Sequence, residues 1–247
     1  MSESITVILN CYKRPEYLEE QIEALRNQTI PPDKIWLWVN WSPENRKLKT
    51  NKLSLDKVFR SDTNCKYHAR FAIGLMAQTE YVAFFDDDTI PGRRWFENCL
   101  DTIKETPGIL GGAGCVLHSR HYIQHERQGW PSLNEHTEPV DLVGHAWFLR
   151  REDLNYMWME TPFSFENGED IQLGYLAKKY GNVQCYCPPH PAWDLERHSS
   201  LKAFQYGDDK KASSNGSLMS IPEFYTQRSQ CVNHAIENGW ETVRGVK

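Results

Sequence analysis

Three carboxylates in succession, Asp86-Asp87-Asp88, follow directly on the apolar run YVAFF. Adjacent carboxylates repel one another, and their charge is costly to hold together without a compensating cation. Hard oxygen donors of this kind suit Mn2+ or Mg2+, which one or two carboxylates commonly share with substrate phosphates. The same residues would also make an acidic turn that caps the next helix. A second acidic pair, Glu169-Asp170, follows Gly168 and opens a strongly periodic segment. A helix dipole keeps a carboxylate at its N-terminus ionised, so Asp170, with Glu169 beside it, suits both capping and general-base work. Arg70 offers a bidentate fork to phosphate, or one half of a surface ion pair. The spacing of His118, His121 and His125 does not match a zinc site, and these residues read as loop.

These groups need elements to position them. Residues 5–9 (ITVIL) read as a buried strand, Pro15 opens a helix carrying Leu18, Ile22 and Leu25 inward, and residues 34–40 (KIWLWVN) form a second strand after Pro31-Pro32. Strand, helix and strand within about 40 residues is the mark of a βαβ unit in a parallel sheet. Residues 64–78 fit a crossover helix, Tyr81–Phe85 a third strand, and a helix with Trp95, Phe96, Cys99, Leu100 and Ile103 follows the Pro91-Gly92 turn. The triad therefore stands at the carboxyl end of a strand, where open α/β sheets bind ligands. Beyond it, residues 108–117 read as a strand, 118–139 as a long excursion, and 140–143 and 146–149 as strands of a mixed sheet. Residues 169–180 form a helix stopped by Gly181, 183–186 a last strand, 199–219 a polar loop and 222–238 a closing helix. Gly207-Asp208-Asp209 in that loop reads as a lid over bound ligand or as a plain surface turn.

Composition narrows the function. The 247 residues fit one large α/β domain, and the net charge of −5 with no basic stripe argues against nucleic acid as a partner. No apolar stretch reaches the roughly 20 residues of a membrane span, and the start lacks signal-peptide anatomy, which leads to the expectation of a cytoplasmic protein with reduced thiols. Nine Trp, eleven Tyr and ten Phe fit stacking on sugar rings as well as core packing. A sugar-nucleotide pyrophosphorylase would need a G-x-G-x-R loop where this chain has NCYKRP, and an aspartyl-nucleophile α/β domain would need an acidic residue after the first strand.

The stretches ITVILNCYKRP, NCKYHARFAIGL, EYVAFFDDDTIPG, VGHAWFLRREDL and FENGEDIQLGYLAKKYG, in this order, resemble the GT-A glycosyltransferases, above all the family-2-like enzymes and more weakly the exostosin type. The resemblance implies an α/β GT-A domain over residues 1–247, with a mostly parallel sheet. Residues 1–107 would be the nucleotide-sugar half, 108–198 a mixed acceptor half, and 199–247 a loop and helix. It implies transfer from a nucleotide-diphosphate sugar, UDP-sugar favoured, to a glycan or glycolipid hydroxyl in polysaccharide synthesis, with Mn2+ or Mg2+. Carried over by position, Asp88 would bind the metal and Asp86 the donor, with Asp87 beside it. Arg70 would face the pyrophosphate or donor sugar. Asn10, Cys11 and Arg14 would meet the nucleobase and ribose, and Asn40 stands where many family members have an aspartate for the base. Asp170 would be the base of an inverting reaction. His198, with His190 as competitor, would complete the metal site, and His145 and Trp147 would face the acceptor, with Trp130 as a further stacking surface. A retaining, exostosin-like transfer and a degenerate glycan-binding module are the alternatives.

Overall fold

Strand β1 (Ile5–Cys11) is apolar along its length, and in the computed structural model it lies inside the sheet, parallel to β2 (Lys34–Val39) on one side and β4 (Tyr81–Phe85) on the other. Residues 3–201 and 222–247 are described. Strand β3 (Lys57–Arg60) extends the parallel half beyond β2. The second half adds β5 (Ile109–Leu117), β6 (His125–Gly129), β7 (Glu138–Val140), β8 (Leu142–Arg150) and β9 (Cys185–Cys187), giving the order β3-β2-β1-β4-β8-β5-β9-β7, with β6 on β5. The chain runs outward from β1 through β2 to β3 and then crosses back to β4. The gap between the carboxyl ends of β1 and β4 is thus the switch point where such sheets hold ligands.

Alternation along the strands divides the core. Tyr81, Ala83 and Phe85 of β4 pack with helices α1 (Leu18–Arg26) and α3 (Trp95–Glu105) on one face. Val82 and Phe84 turn to the other face, with Phe71 of α2 (Ala69–Gly74) and Leu173 and Ala177 of α4 (Glu169–Gly181). A third cluster joins α4 to α5 (Pro222–Glu237) through Ile171, Tyr175 and Leu176 against Val232 and Ala235.

Several expectations are corrected. The helix expected over 64–78 shortens to α2, because the Asn64 side chain accepts from the Lys66 amide at 2.9 Å and Lys66 takes a φ of 54°. An Asn that bonds nearby backbone in this way offers the chain an alternative to helix. The excursion over 118–139 contributes β6 and the start of β7, and the two strands read over 140–149 are largely one, β8. The left-handed residue that ends α4 is Asn182 (φ 50°) and not Gly181. Gly181 instead leaves room for the Tyr156 ring, since a Cβ there would lie 2.3 Å from it. The last strand shifts to β9, where Cys185 and Cys187 are buried on one face, and all seven cysteines are free thiols. The 207–209 turn lies outside the described residues.

Candidate active site

The antiparallel pairing of β8 with β4 sets Phe85 opposite Ala146, so the residue before Ala146 arrives beside the triad. That residue is His145, whose carbonyl accepts from the Asp86 amide at 3.2 Å and from Thr89 Oγ1 at 3.1 Å. Its Nδ1 lies 3.9 Å from Asp86 Oδ2, and Asp86, Asp88 and His145 offer ligand atoms within 4.8 Å of one another. The Trp130 ring stacks on the imidazole at 4.2 Å and 10°. Burial holds the His145 pKa below its ordinary value, so at neutral pH the ring is uncharged and keeps a lone pair. Asp88 Oδ1 and His145 Nε2 are both buried without a hydrogen-bond partner. A buried carboxylate oxygen and a buried ring nitrogen without partners are costly unless a cation or a hydrogen-bonding group meets them. Two carboxylates and a neutral imidazole are also a donor set that Mn2+ accepts.

The remaining charges are paired. Asp87 turns away toward the loop after β1, accepting from the Tyr12 and Lys13 amides at 3.3 and 3.1 Å and from Arg14 Nη2 at 2.5 Å. Arg14 Nη1 also reaches Asp88 Oδ2 at 3.0 Å. Arg70 pairs with Asp86 through Nη1 and, at 3.5 Å, with Glu169 through Nη2. Gln21 of α1 ties the triad's backbone down, donating to the carbonyls of Asp86 and Thr89 at 2.7 and 2.9 Å. A cavity of about 560 Å³ opens over the switch point, lined by Asn10, Tyr12, Asn40, the triad and His145, with Glu166 and Phe224 on the far side. That is a volume suited to a small organic ligand.

The structure brings Asn10, Arg14, Asn40, Asp86, Asp87, Asp88 and His145 to one cavity and places other expected residues elsewhere. Cys11 is a correction: its side chain is buried in the core, and burial pushes the thiol up to about 12. Asn40 lines the cavity, but its amide is spent on the 64–66 turn, donating to Asn64 Oδ1 and accepting from the Cys65 amide. Trp147 is also corrected, being 2% exposed with its ring under the Arg70 guanidinium at 4.5 Å, so it supports Arg70 and does not face an acceptor. Arg70 itself is 3% exposed and touches carboxylates rather than the cavity. His198 does not join Asp86 and Asp88, because its Nε2 bonds to the Pro191 carbonyl at 2.8 Å. His190 is likewise engaged, donating from Nδ1 to the Pro188 carbonyl at 2.9 Å, with Ser199 at Nε2.

Glu169 and Asp170 open α4 but do not line the cavity. Asp170 accepts from the Ile171 amide at 2.8 Å and from Arg228 Nη2 at 2.6 Å. Burial, and then the neighbouring Asp170 charge, pushes Glu169 up to about 7 despite Arg70. Sequence reasoning missed Arg228, Gln21 and the place of His145 beside the triad. The first two sit on helices far along the chain from their partners, with no local motif. His145 carried a signal, a polar residue opening an apolar strand, but only strand pairing gave it meaning.

A parallel half with acids at its switch point, completed by an antiparallel strand that returns beside them, is the GT-A layout. The sequence model for glycosyl transferase family 2 matches residues 6–158. The chain belongs to that family. Among solved structures it is similar to the crystal structure of S. aureus TarS, with a TM-score of 0.56 and 17% identity over 94% of this chain. It spans 43% of that protein's length. No curated protein matches it in sequence.

Proposed function

We propose that this chain transfers a sugar, with inversion, from a nucleotide-diphosphate sugar to a hydroxyl of a glycan or glycolipid, UDP being the favoured carrier. The observation that carries the metal-dependent part of this reading is the cluster of Asp86, Asp88 and His145, in which Asp88 Oδ1 and His145 Nε2 are buried without partners. In this reading Asp86, Asp88 and His145 hold Mn2+ or Mg2+, and the ion supplies charge stabilisation for the departing diphosphate. Asn10 and Tyr12, at the carboxyl end of β1, border the nucleoside end of the cavity, with Asn40 fixing the 64–66 turn as its floor. Trp130 presents an aromatic face next to His145 for the acceptor sugar. The acceptor oxygen bonds to the anomeric carbon as the bond from that carbon to the phosphate oxygen breaks. The hydroxyl proton passes to one of the two carboxylates that open α4, Asp170 in the first reading, and the nucleoside diphosphate leaves.

Glu169 is a second reading for the base. Its carboxyl is raised to about 7, which matches a general base working near neutrality, whereas both oxygens of Asp170 are committed.

The test is a thermal-shift screen of nucleotide sugars with and without Mn2+. A bound ligand stabilises the fold by mass action, about 2.7 kcal/mol at a hundredfold excess over Kd. A metal-dependent shift with one class of nucleotide sugar is expected, and Asp88→Asn should remove it. With that donor, Asp170→Asn should keep the shift and lose transfer. Transfer that survives in Asp170→Asn and is lost in Glu169→Gln would assign the base to Glu169. NMR of the product anomer separates inversion from retention, and no shift with any donor would favour a glycan-binding module.

A further inference from the structure

Two arginines frame the acidic cluster from outside, one for each of its carboxylates. Arg70 holds Asp86 by Oδ1, which leaves Oδ2 on the side of His145. Arg14 holds Asp88 by Oδ2 at 3.0 Å, which leaves Oδ1 buried and without a partner. Both side chains are almost fully buried, at 6% and 3% exposed, and both are anchored in turn. Arg14 is fixed by Asp87, which donates nothing to the cation cluster but is itself pinned by two amides of the loop after β1. Arg70 is fixed by Glu169 and by the face of Trp147.

We propose that Arg14 and Arg70 are positioning residues for a divalent cation, each occupying one oxygen of its carboxylate and so presenting the other toward the place shared with His145. The proposal rests on the reading that Asp86, Asp88 and His145 bind that cation. It departs from the expectations that Arg70 faces the donor's pyrophosphate or sugar and that Arg14 meets its nucleobase and ribose, since both guanidinium groups are already spent on carboxylates.

Charge and orientation make opposite predictions here, and this is what makes the role testable. A guanidinium next to a ligating carboxylate repels a divalent cation, so on charge alone its removal tightens metal binding. As orienting groups, the arginines stop neighbouring carboxylates from rotating apart under their mutual repulsion, and their removal loosens binding. Groups that orient metal ligands are worth about 10- to 100-fold in metal affinity. The geometry favours orientation, because each arginine pairs with one oxygen of its carboxylate while Asp86, Asp88 and His145 keep ligand atoms within 4.8 Å of one another.

The experiment titrates Mn2+ alone into the full chain and follows the loss of the free-ion EPR signal, with a cooperative melt in the absence of metal required of every variant. One Mn2+ should bind the unaltered chain. Arg14→Gln and Arg14→Lys should each weaken that binding about tenfold or more, the lysine because it keeps the charge but lacks the planar fork. Arg70→Lys should act in the same direction. An Arg14→Gln protein that melts cooperatively and binds Mn2+ as tightly or more tightly overturns the positioning role while leaving the cation site standing. Where the glutamine variant does not fold, Arg14→Lys decides, and undiminished binding overturns the role. An unaltered chain that binds no Mn2+ overturns the cation site itself.

Discussion

His145 adopts a φ of 74°, a left-handed conformation that is uncommon for a residue with a side chain and costs about 1 kcal/mol. The surrounding contacts hold it there: its carbonyl takes two hydrogen bonds from the triad segment, and its ring lies against Trp130. The conformation places the imidazole over the end of β4 and not in the core beneath β8. Asn tolerates the same backbone better than most residues, so His145→Asn removes the imidazole without adding strain. This variant should melt close to the unaltered protein, while its Mn2+ affinity, read by the same EPR titration, falls about tenfold or more. Asp87 illustrates the reverse case. It belongs to a motif that reads as three equivalent ligands, yet burial raises its pKa against the pull of Arg14, and its oxygens serve the loop after β1.

At the scale of elements, α4 carries the acidic pair and must sit close to β8 to do so. Gly174 makes that approach feasible, because a Cβ there would lie 2.5 Å from the backbone carbonyl oxygen of Asp141, which cannot move aside as a flexible side chain would. Gly174→Ala gains about 1 kcal/mol of helix propensity but forces the helix off the sheet, a shift that costs about 1–3 kcal/mol in a packed core. We expect net destabilisation, seen as a lower urea midpoint with an unchanged m-value. Elements with a buried apolar period were legible, β1, β2, β4 and α3 among them. Strand β3 was not, since KVFR at the sheet edge is largely exposed and shows no buried alternation. The helix over 64–78 was over-read because the Asn64 side chain diverts its first residues into a turn that the apolar spacing does not record.

Across the whole molecule, buried groups with opposite pH demands offset one another. Burial lowers four imidazoles, bringing His68 and His190 to about 4 and holding His125 and His145 below the ordinary value. It raises four carboxyls, bringing Glu169 to about 7 and Asp153 to about 6 and holding Asp87 and Asp141 above the ordinary value. A lowered imidazole gives stability that is present above the unfolded value near 6.5 and is lost as the pH falls toward 4. A raised carboxyl gives stability that is present below its unfolded value near 4 and is lost as the pH rises through its folded value. Among the described residues the two sets oppose each other, so urea stability should change little between pH 4.5 and 6.5. His190→Asn removes one imidazole from the balance, and its stability should fall with rising pH relative to the unaltered protein, by about 3 kcal/mol at most. A His190→Asn curve parallel to that of the unaltered protein would rule out this account. No helix among the described residues is long and apolar enough to cross a membrane.

The order of motifs along the chain determined the family and the end of the sheet where the acids gather, because a carboxylate run after a buried strand has its place set by local covalent connection. Asp86 and Asp88 were legible for that reason. The tertiary structure decided their partners. Strand β8 pairs with β4 across more than 50 residues of chain and brings His145 to the acids, while His198 and Cys11 turn to other bonds or into the core. Arg14 and Arg70, held by Asp87 and by Glu169 with Trp147, each pair with one oxygen of its carboxylate. Long-range pairing and side-chain orientation leave no periodic trace in a sequence, and for this protein they assemble the site from an otherwise readable motif.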